Sequence, residues 1–444
     1  MVTNALDFVM GREFDRHALE VFPNESMFAR FKPTVGLEIE YSLVKTGTSE
    51  LVDQSTRDRI VNNEPDLLDQ ELGAAQLELK CNPINLAEVG FTGLKYHVLE
   101  FEGKAARAAA IGNAQLVRLG SFPNLPLGNI QRTNNDRYNR VPTWHNIRHG
   151  QGISTSIGVK RHTSPATAES IALMNSVQFN VAARSEEEAL ETLNISYRIL
   201  PCLLAISGNS RFLDGKDTGF SDTRMIVWER THDTRTAIER VINASLRVGL
   251  PDRYFDSYEE YLSYTKGFPF ILYDPDAAAN LALGLNWSDA RMKLKDTMLT
   301  EFRPVSIQPS VEEDVAVCAA YIGLLHHHRL AKYKLPPMLV NKLNRSAAMR
   351  FGLSARFIEQ DRSGSFRYVP AADVIEKALN QAEHGLALAG FLDGQGFINV
   401  LRNRLARMHT PSDDFYSKIK NKEMNGLSLD EALDEAVKES VVRI

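Results

Sequence analysis

The sequence predicts an α+β fold, in which short strands with one polar face are joined by amphipathic helices. In four segments, polar and apolar residues alternate with a period of two, as in strands that place one face on the core. Between these segments the apolar spacing is close to 3.6, and residues from about 310 to 444 look mainly helical. The sequence contains no internal repeat. At 444 residues, one large α+β domain with a mainly helical C-terminal part is as plausible as two domains.

The four predicted strands carry acidic and amide side chains on their polar faces. They are Val35 to Leu43, Ala75 to Cys81, Ser176 to Ala182 and a stretch around Thr300 to Pro304. In the first strand, Glu38 and Glu40 share the face opposite Leu37, Ile39 and Tyr41. Two carboxylates on one strand face are the first indication of a charged site.

Four helices are predicted from spacing and capping signals. They are an Ala-rich helix from Leu94 to Leu119 stopped by Gly120, a helix through Ile206 that begins with a Ser185–Glu188 capping box, and the stretches Ala371 to Leu388 and Ser428 to Val437.

Composition narrows the class of protein. Hydrophobic residues at 43% and charged residues at 24% are globular values, and the net charge of −5 gives no basic field for a nucleic-acid backbone. Residues 1–20 lack the pattern of a secretory signal, and no apolar run reaches membrane-spanning length. Cys81, Cys202 and Cys318 are far apart and sit among apolar neighbours, which favours inert, reduced thiols. We expect a cytoplasmic protein that acts on small molecules rather than on nucleic acid or a membrane.

Five acids lie in strand-like settings. They are Glu38, Glu40, Glu71, Glu78 and Glu301. Any one of them is most simply the solvated side of a strand. If the strands pair with their polar faces aligned, however, the carboxylates converge and need a counter-charge. Oxygen ligands without cysteine or histidine favour Mg²⁺, with Mn²⁺ as an alternative, and magnesium in turn suggests ATP.

Arginines supply the second part of the predicted site. Arg303 lies two residues from Glu301 on the same face, and Arg224 and Arg235 flank Trp228. Guanidinium groups bind carboxylates and phosphates with two hydrogen bonds at once. A surface ion pair is an equally good interpretation of Arg235 and a poorer one of Arg224 and Arg303.

Other motifs give no site. Neither a P-loop nor a strand followed by G-x-G-x-x-G occurs, and the glycines at 150 and 152 mark only a loop. His326, His327 and His328 would point about 100° apart on a helix and cannot all reach one metal ion. His149 and His162 receive no catalytic role.

These motifs together resemble the glutamate–cysteine ligase superfamily, specifically its second family and the related carboxylate–amine ligases. Gly36 to Tyr41 resembles the G-x-E-x-E strand, Glu71 to Glu78 has the E-x(6)-E spacing, and Asn175 to Val181 is similar to the S-V-Q-x-N strand. Further matches are Ser207 to Phe212, Gly219 to Arg224, Trp228, Arg235, the E-x-R strand Glu301 to Arg303, and Asn341 to Gly352.

The resemblance implies a glutamine-synthetase-like fold, in which a curved antiparallel sheet forms a funnel flanked by helices. It also implies that residues 1–444 form a single catalytic domain whose part from about residue 310 is mainly helical. It implies that the γ-carboxylate of glutamate attacks the terminal phosphate of ATP and that an amine then displaces phosphate from the acyl phosphate. It assigns metal binding to the five acids, contacts with phosphate or the substrate carboxylate to Arg224 and Arg303, and cofactor binding to Gln178, Asn180 and Arg235. Gln178 and Asn180 stand where some bacterial relatives carry a histidine.

The amine acceptor stays open. Cysteine is the leading acceptor, because it is the substrate of the best-known family member, and another amine or a peptide is the alternative. Two other interpretations are a non-catalytic relative that binds nucleotide or amino acid, and a kinase that stops at the phosphorylated product. A homo-oligomer is compatible with the sequence.

Overall fold

The computed structural model describes residues 2–443 apart from 24–26, 29–30, 137, 141–153, 160–162, 243, 295–296, 332–334 and 362. His149, His162 and the glycines at 150 and 152 lie outside the described residues.

An eight-stranded antiparallel sheet is the centre of the fold. Its strands are β1 (Thr34–Lys45), β2 (Leu68–Gln70), β3 (Gln76–Lys80), β4 (Ile84–Asn85), β5 (Ala114–Val117), β8 (Val177–Ala182), β13 (Ala290–Leu294) and β14 (Met298–Phe302). The order across the sheet is β13-β14-β8-β1-β3-β2, and β4 and β5 pair with the two ends of β1. The long β1 therefore joins both halves of the sheet.

The remaining strands form two-stranded ribbons. They are β6 (Ser154–Ile157) with β7 (Ser164–Thr167), β9 (Phe212–Leu213) with β10 (Lys216–Asp217), β11 (Val248–Gly249) with β12 (Trp287–Ser288), and β15 (Arg356–Gln360) with β16 (Phe366–Pro370).

Helices surround the sheet and make up most of the C-terminal part. They are α1 (Val2–His17), α2 (Gln54–Asn63), α3 (Leu86–Ile111), α4 (Glu186–Ser207), α5 (Thr223–His232), α6 (Ala237–Val241), α7 (Tyr258–Lys266), α8 (Ala278–Gly284), α9 (Val311–Ala331), α10 (Met338–Phe351), α11 (Ala371–Leu388), α12 (Gly394–Arg407), α13 (Pro411–Met424) and α14 (Leu429–Glu439). The predicted α+β class is confirmed, and beyond Val311 only the β15–β16 ribbon interrupts the helices among the described residues. That the whole chain is one domain stays a prediction.

All four predicted strands form, with ends that differ by one or two residues from the prediction. Their apolar faces are buried, and the rings of Phe179 and Phe302 stack with centroids 6.3 Å apart. Tyr321 of α9 lies 4.5 Å from Phe302, so α9 packs against this face. The core on one side of the sheet leaves the polar face on the other side for chemistry.

The predicted helix from Leu94 to Leu119 is wrong at its C-terminal end. The helix begins earlier than predicted, at Leu86, and stops at Ile111, and Ala114–Val117 is a strand that pairs with β1. Gly112 follows the last helical residue and packs closely on Ile60, because a Cβ added at Gly112 would lie 2.8 Å from Cγ1 of Ile60. The next residue, Asn113, adopts a left-handed φ of 56° and so turns the chain away from the helix. The partner strand is far away in sequence, which local spacing does not reveal.

Helix α4 begins as predicted at Ser185, whose side chain accepts a hydrogen bond from the backbone N–H of Glu188. The Glu188 carboxylate accepts from the Arg184 N–H instead of completing the box at Ser185. Among the described residues, this is the helix whose length and apolarity would allow it to cross a membrane. Most of its apolar window, 72%, is buried inside the protein, as in a core helix.

Candidate active site

The register of the sheet brings the predicted polar residues to one face. Glu40 lies opposite Glu78 across the β1–β3 pair, and Glu38 lies opposite Gln178 across the β1–β8 pair. Glu301 lies opposite Asn180 across the β14–β8 pair. Because side chains alternate along each strand, residues two apart on these strands project from the same surface.

A cavity of about 520 Å³ covers this face. Seven of the predicted residues line it: Glu38, Glu40, Glu71, Glu78, Gln178, Glu301 and Arg303. Trp228, His232 and Trp287 form its aromatic side, with ring centroids between 4.7 and 5.8 Å apart. One wall is therefore charged and the other aromatic.

Three of the acids meet at one point. Glu40, Glu71 and Glu78 each offer a carboxylate oxygen, and these oxygens all lie within 4.8 Å of one another. We call these three residues the acid trio. Burial, followed by the charges of Glu71, Glu38 and Glu40, raises the pKa of Glu78 well above its usual range. The trio thus concentrates negative charge that a cation would neutralise.

Glu40 is held in place by its neighbours. Its carboxylate accepts hydrogen bonds from the Ser176 N–H at 2.7 Å, the Ser176 hydroxyl at 2.8 Å and the Gln178 amide at 3.1 Å. Burial raises the pKa of Glu40, while Arg224 and the bonds with Ser176 oppose that shift. The Gln178 carbonyl oxygen in turn accepts from Arg303 at 2.7 Å, so Gln178 links the trio to the arginine.

Glu71 is positioned by a turn built on a buried arginine. Arg57 donates to the carbonyl oxygens of Gln76 at 2.9 Å and Gly73 at 3.2 Å, and to the Thr133 hydroxyl at 3.0 Å. Gly73 is required by a close approach, because an added Cβ would lie 2.4 Å from the carbonyl oxygen of Ala172. The spacing of seven between Glu71 and Glu78 therefore spans a turn that returns the chain to the trio.

Glu301 lies in a different electrostatic setting. Its fully buried carboxylate contacts Arg291 at 2.5 Å and Arg303 at 2.6 Å, and it also pairs with Lys293. Burial alone would raise the pKa of Glu301, but the charges of Arg291, Arg303 and Lys293 hold it well below the usual range. Glu301 does not belong to the acid trio, and neither does Glu38, which lies 3.3 Å from the Lys293 ammonium.

Three predicted residues do not line the cavity. Arg224 is buried at the start of α5, donates to the Arg303 carbonyl at 3.1 Å and does not line the cavity, although its charge opposes the rise in the pKa of Glu40. Arg235 pairs with Asp233 at 2.9 Å, in agreement with its alternative interpretation as an ion-pair residue. Asn180 carries a buried side-chain oxygen for which no hydrogen-bond partner is described. The catalytic, cofactor and metal roles assigned from the sequence stay predictions.

Sequence reasoning missed Lys293, Arg291 and Arg57. The first two belong to β13, and the alternation Arg291-Met292-Lys293-Leu294 is the signal that would have identified this short strand. No local pattern marks Arg57, which lies in α2 and acts on a turn more than ten residues away.

The three cysteines and the three adjacent histidines are buried or half-buried. Burial raises the pKa of all three thiols, as expected for inert groups. His326, His327 and His328 lie on α9, and burial lowers the pKa of His328 to about 3. They form no metal site among the described residues.

Comparison with known proteins places the chain in a family. The model of "Glutamate-cysteine ligase family 2" matches residues 34–440. A protein of Rubrobacter xylanophilus named "Putative glutamate--cysteine ligase 2-1" is 25% identical over 364 residues, which is 78% of this chain and 81% of that protein. A Nocardioides protein with the same name is 30% identical over 168 residues, or 37% of each chain.

Solved structures show the same fold at low identity. The glutamate–cysteine ligase of Francisella tularensis, crystallised with AMP, matches with a TM-score of 0.58 at 11% identity. The match covers 93% of this chain and 88% of the Francisella chain. A bifunctional glutathione synthetase from Pasteurella multocida matches with a TM-score of 0.56 at 12% identity. The match covers 96% of this chain and 54% of the Pasteurella chain. Because the family model spans the sheet and the charged cavity, the chain belongs to glutamate–cysteine ligase family 2.

Proposed function

We propose that this protein is an ATP- and magnesium-dependent ligase that joins the γ-carboxylate of glutamate to an amine, with cysteine as the leading acceptor. The observation that carries the proposal is the acid trio beside the Gln178–Arg303 pair in a cavity of ligand size. The names of the relatives support the donor and the acceptor, and the AMP in complex with the Francisella ligase supports the nucleotide.

The acid trio fits a hard divalent cation. It offers carboxylate oxygens within 4.8 Å of one another, and nitrogen and sulfur ligands are absent from the trio. Oxygen-only sites of this kind prefer Mg²⁺ or Mn²⁺. When bound there, the ion would neutralise phosphate charge and so lower the barrier to phosphoryl transfer.

The cationic residues complete the electrostatic side of the reaction. Arg303 faces the cavity and is fixed by Glu301 and Gln178, so its remaining guanidinium N–H groups are oriented before substrate arrives. Arg224 donates to the backbone carbonyl of Arg303, and its positive charge also acts on Glu40. We propose that Arg303 contacts phosphate or the substrate carboxylate and that Arg224 positions it.

Two displacements then give the amide. An oxygen of the γ-carboxylate attacks the terminal phosphorus of ATP, and ADP leaves with the electron pair of the broken P–O bond. The amine nitrogen attacks the acyl carbon, loses a proton, and expels inorganic phosphate. Both steps depend mainly on alignment and on stabilising developing charge, which is what a preorganised charged wall provides.

The aromatic wall is the surface that we assign to substrate side chains. Trp228 and Trp287 present apolar area beside the charged wall, and His232 packs against both of them. This surface accommodates cysteine and also larger amines, so the acceptor must be identified by assay.

One experiment separates the ligase from the two other interpretations. The protein is incubated with ATP, Mg²⁺ and glutamate, single amines are added, and phosphate release and product mass are measured. The ligase releases phosphate only with a suitable amine and yields the corresponding γ-glutamyl amide. Phosphorylated glutamate formed without any amine would indicate a kinase, and no turnover across a broad amine panel would indicate a binding protein.

A further inference from the structure

We propose that the ammonium group of Lys293 is a built-in cation of this site, which neutralises Glu38 and Glu301 so that these two carboxylates do not ligate a divalent ion. Divalent ions are then held on the protein side by the acid trio. The inference rests on the proposed function, and it replaces the metal role that the family resemblance assigns to Glu38 and Glu301.

The position of Lys293 is the first argument. Its ammonium lies 3.3 and 3.4 Å from the two carboxylate oxygens of Glu38 and also pairs with the Glu301 carboxylate. Glu38 is on β1 and Lys293 is on β13, three places apart in the sheet. At about 4.8 Å per strand, their backbones would be about 14 Å apart in a flat sheet, so both side chains extend towards each other over the intervening strands.

The surrounding charge is the second argument. The two carboxylates of Glu38 and Glu301 share their surroundings with three cations, Arg291, Lys293 and Arg303. A divalent ion placed on Glu301 would lie within contact range of all three and would be repelled by them.

The acid trio shows the opposite electrostatics. Burial and then the charges of neighbouring carboxylates raise the pKa of Glu78, whereas three cations hold the pKa of Glu301 well below its usual range in spite of its burial. The cavity therefore has one end, at Glu78, where carboxylates predominate, and another end, at Glu301, where three cations contact the carboxylate directly. A divalent ion is stabilised at the first end and excluded from the second.

The chemistry of lysine suits this position. An ammonium is a compact charge with three hydrogen-bond donors, so it can bridge two carboxylates as an ion would. Unlike a dissociable ion, it is present at any magnesium concentration. The site therefore keeps Glu301 and Arg303 ordered without metal, and the protein needs one divalent ion fewer than it would if Lys293 were neutral.

The test counts bound Mn²⁺ by electron paramagnetic resonance, with a non-hydrolysable ATP analogue at saturation. Lys293→Met keeps the aliphatic stem and removes the charge, so it should bind one Mn²⁺ more than the wild type. The double variant Lys293→Met/Glu38→Gln should return to the wild-type number. Lys80→Met is the matched control, because Lys80 lines the same cavity but pairs with Asp69, and it should leave the number unchanged.

Two results would overturn the inference and one would instead remove its basis. Equal Mn²⁺ numbers in the wild type and in folded Lys293→Met would show that the ammonium does not occupy an ion's place. An anomalous difference map of wild-type crystals grown with Mn²⁺ decides the matter even if the variant does not fold, because a peak on Glu38 and Glu301 refutes the inference and peaks confined to the trio support it. A wild type that retains neither Mn²⁺ nor the analogue would contradict the proposed function itself.

Discussion

Replacing Glu78 by glutamine should make the metal-free protein more stable while it abolishes ligase activity. Glutamine keeps the size and shape of the side chain and removes its charge. In the structure this charge faces Glu40 and Glu71, and burial together with these acids raises the pKa of Glu78 well above its usual range. Ionised Glu78 therefore costs folding free energy at neutral pH, and the cost ends when the charge is removed.

The size of both effects follows from the spacing of the trio. Two unit charges 4.8 Å apart repel by about 3.5 kcal/mol at an effective dielectric constant of about 20. Partial protonation of the trio caps this cost, so we expect the metal-free variant to gain about 1 to 3 kcal/mol in free energy of unfolding at pH 7. A divalent cation at the same distance from Glu78 is attracted by about 7 kcal/mol, and the proton that must leave Glu78 reduces this gain. The variant should bind Mn²⁺ at least about 100-fold more weakly.

Three measurements check this prediction on the same samples. Urea unfolding in the presence of a chelator gives the stability, Mn²⁺ titration gives the affinity, and phosphate release with glutamate and an amine gives the activity. Glu376→Gln is the matched control, because Glu376 is exposed on α11 and the substitution should change none of the three. A folded Glu78→Gln protein that turns over at a near-normal rate would refute the role of the trio, and a loss of metal-free stability would refute the electrostatic reasoning.

Three further substitutions test separate parts of the account. Arg57→Met should lower the free energy of unfolding by about 3 kcal/mol and weaken Mn²⁺ binding, because the turn that carries Glu71 loses charged hydrogen bonds. Urea unfolding and Mn²⁺ titration measure the two effects, with Arg59→Met as the control because Arg59 is exposed on the same helix. An unaltered Mn²⁺ affinity would contradict this prediction. Arg303→Lys should reduce turnover about 10- to 100-fold with the number of bound Mn²⁺ unchanged, because lysine cannot bridge Gln178 and Glu301 in the same way. Steady-state kinetics and a count of bound Mn²⁺ measure the two quantities. Full activity of the variant would exclude a direct role of Arg303. Burial lowers the pKa of His328 to about 3. Below about pH 6.5 this histidine is therefore protonated in the unfolded chain but stays neutral in the folded protein, so the free energy of unfolding decreases as the pH falls. From pH 8 to pH 5 this histidine should cost about 2 kcal/mol, which His328→Gln should abolish in urea unfolding; an identical pH dependence in both proteins would argue against it.

The strands were predictable because their signal is local. Alternation over a few residues places Glu38 and Glu40 on the face opposite Leu37 and Ile39, whatever the strand pairs with. The same reasoning fails at Ala114–Val117, because an Ala-rich run is compatible with a helix until a distant partner strand is known. Tertiary pairing decides such segments, and the sequence around them does not record it.

Strand periodicity predicts only some of the residues that form the acid trio. Glu40 and Glu78 follow from strand periodicity, whereas Glu71 reaches them through a turn that Arg57 holds from another element. Glu301 was grouped with the acids because it lies on the polar face of the fourth predicted strand. Its separation from the trio comes from β13, which supplies cations that a reading of the acids alone did not include.

The two arginines show that the burial of a side chain is harder to predict from sequence than the strand face on which it lies. Arg224 and Arg303 were both expected to contact substrate groups, yet Arg303 lines the cavity and Arg224 does not. Arg224 lies near the start of α5, and its burial depends on elements that are distant in sequence and pack around that helix.

Transfer of a carboxylate oxygen to phosphate tests the central claim most directly. The protein is supplied with glutamate labelled with ¹⁸O in its γ-carboxylate, together with unlabelled ATP, Mg²⁺ and an accepted amine, and the released phosphate is analysed by mass spectrometry. An acyl phosphate leaves one ¹⁸O atom in each phosphate released, because the bridging oxygen comes from glutamate. Phosphate that carries no ¹⁸O although the γ-glutamyl amide has formed would show that the carboxylate is not activated by phosphorylation in this cavity.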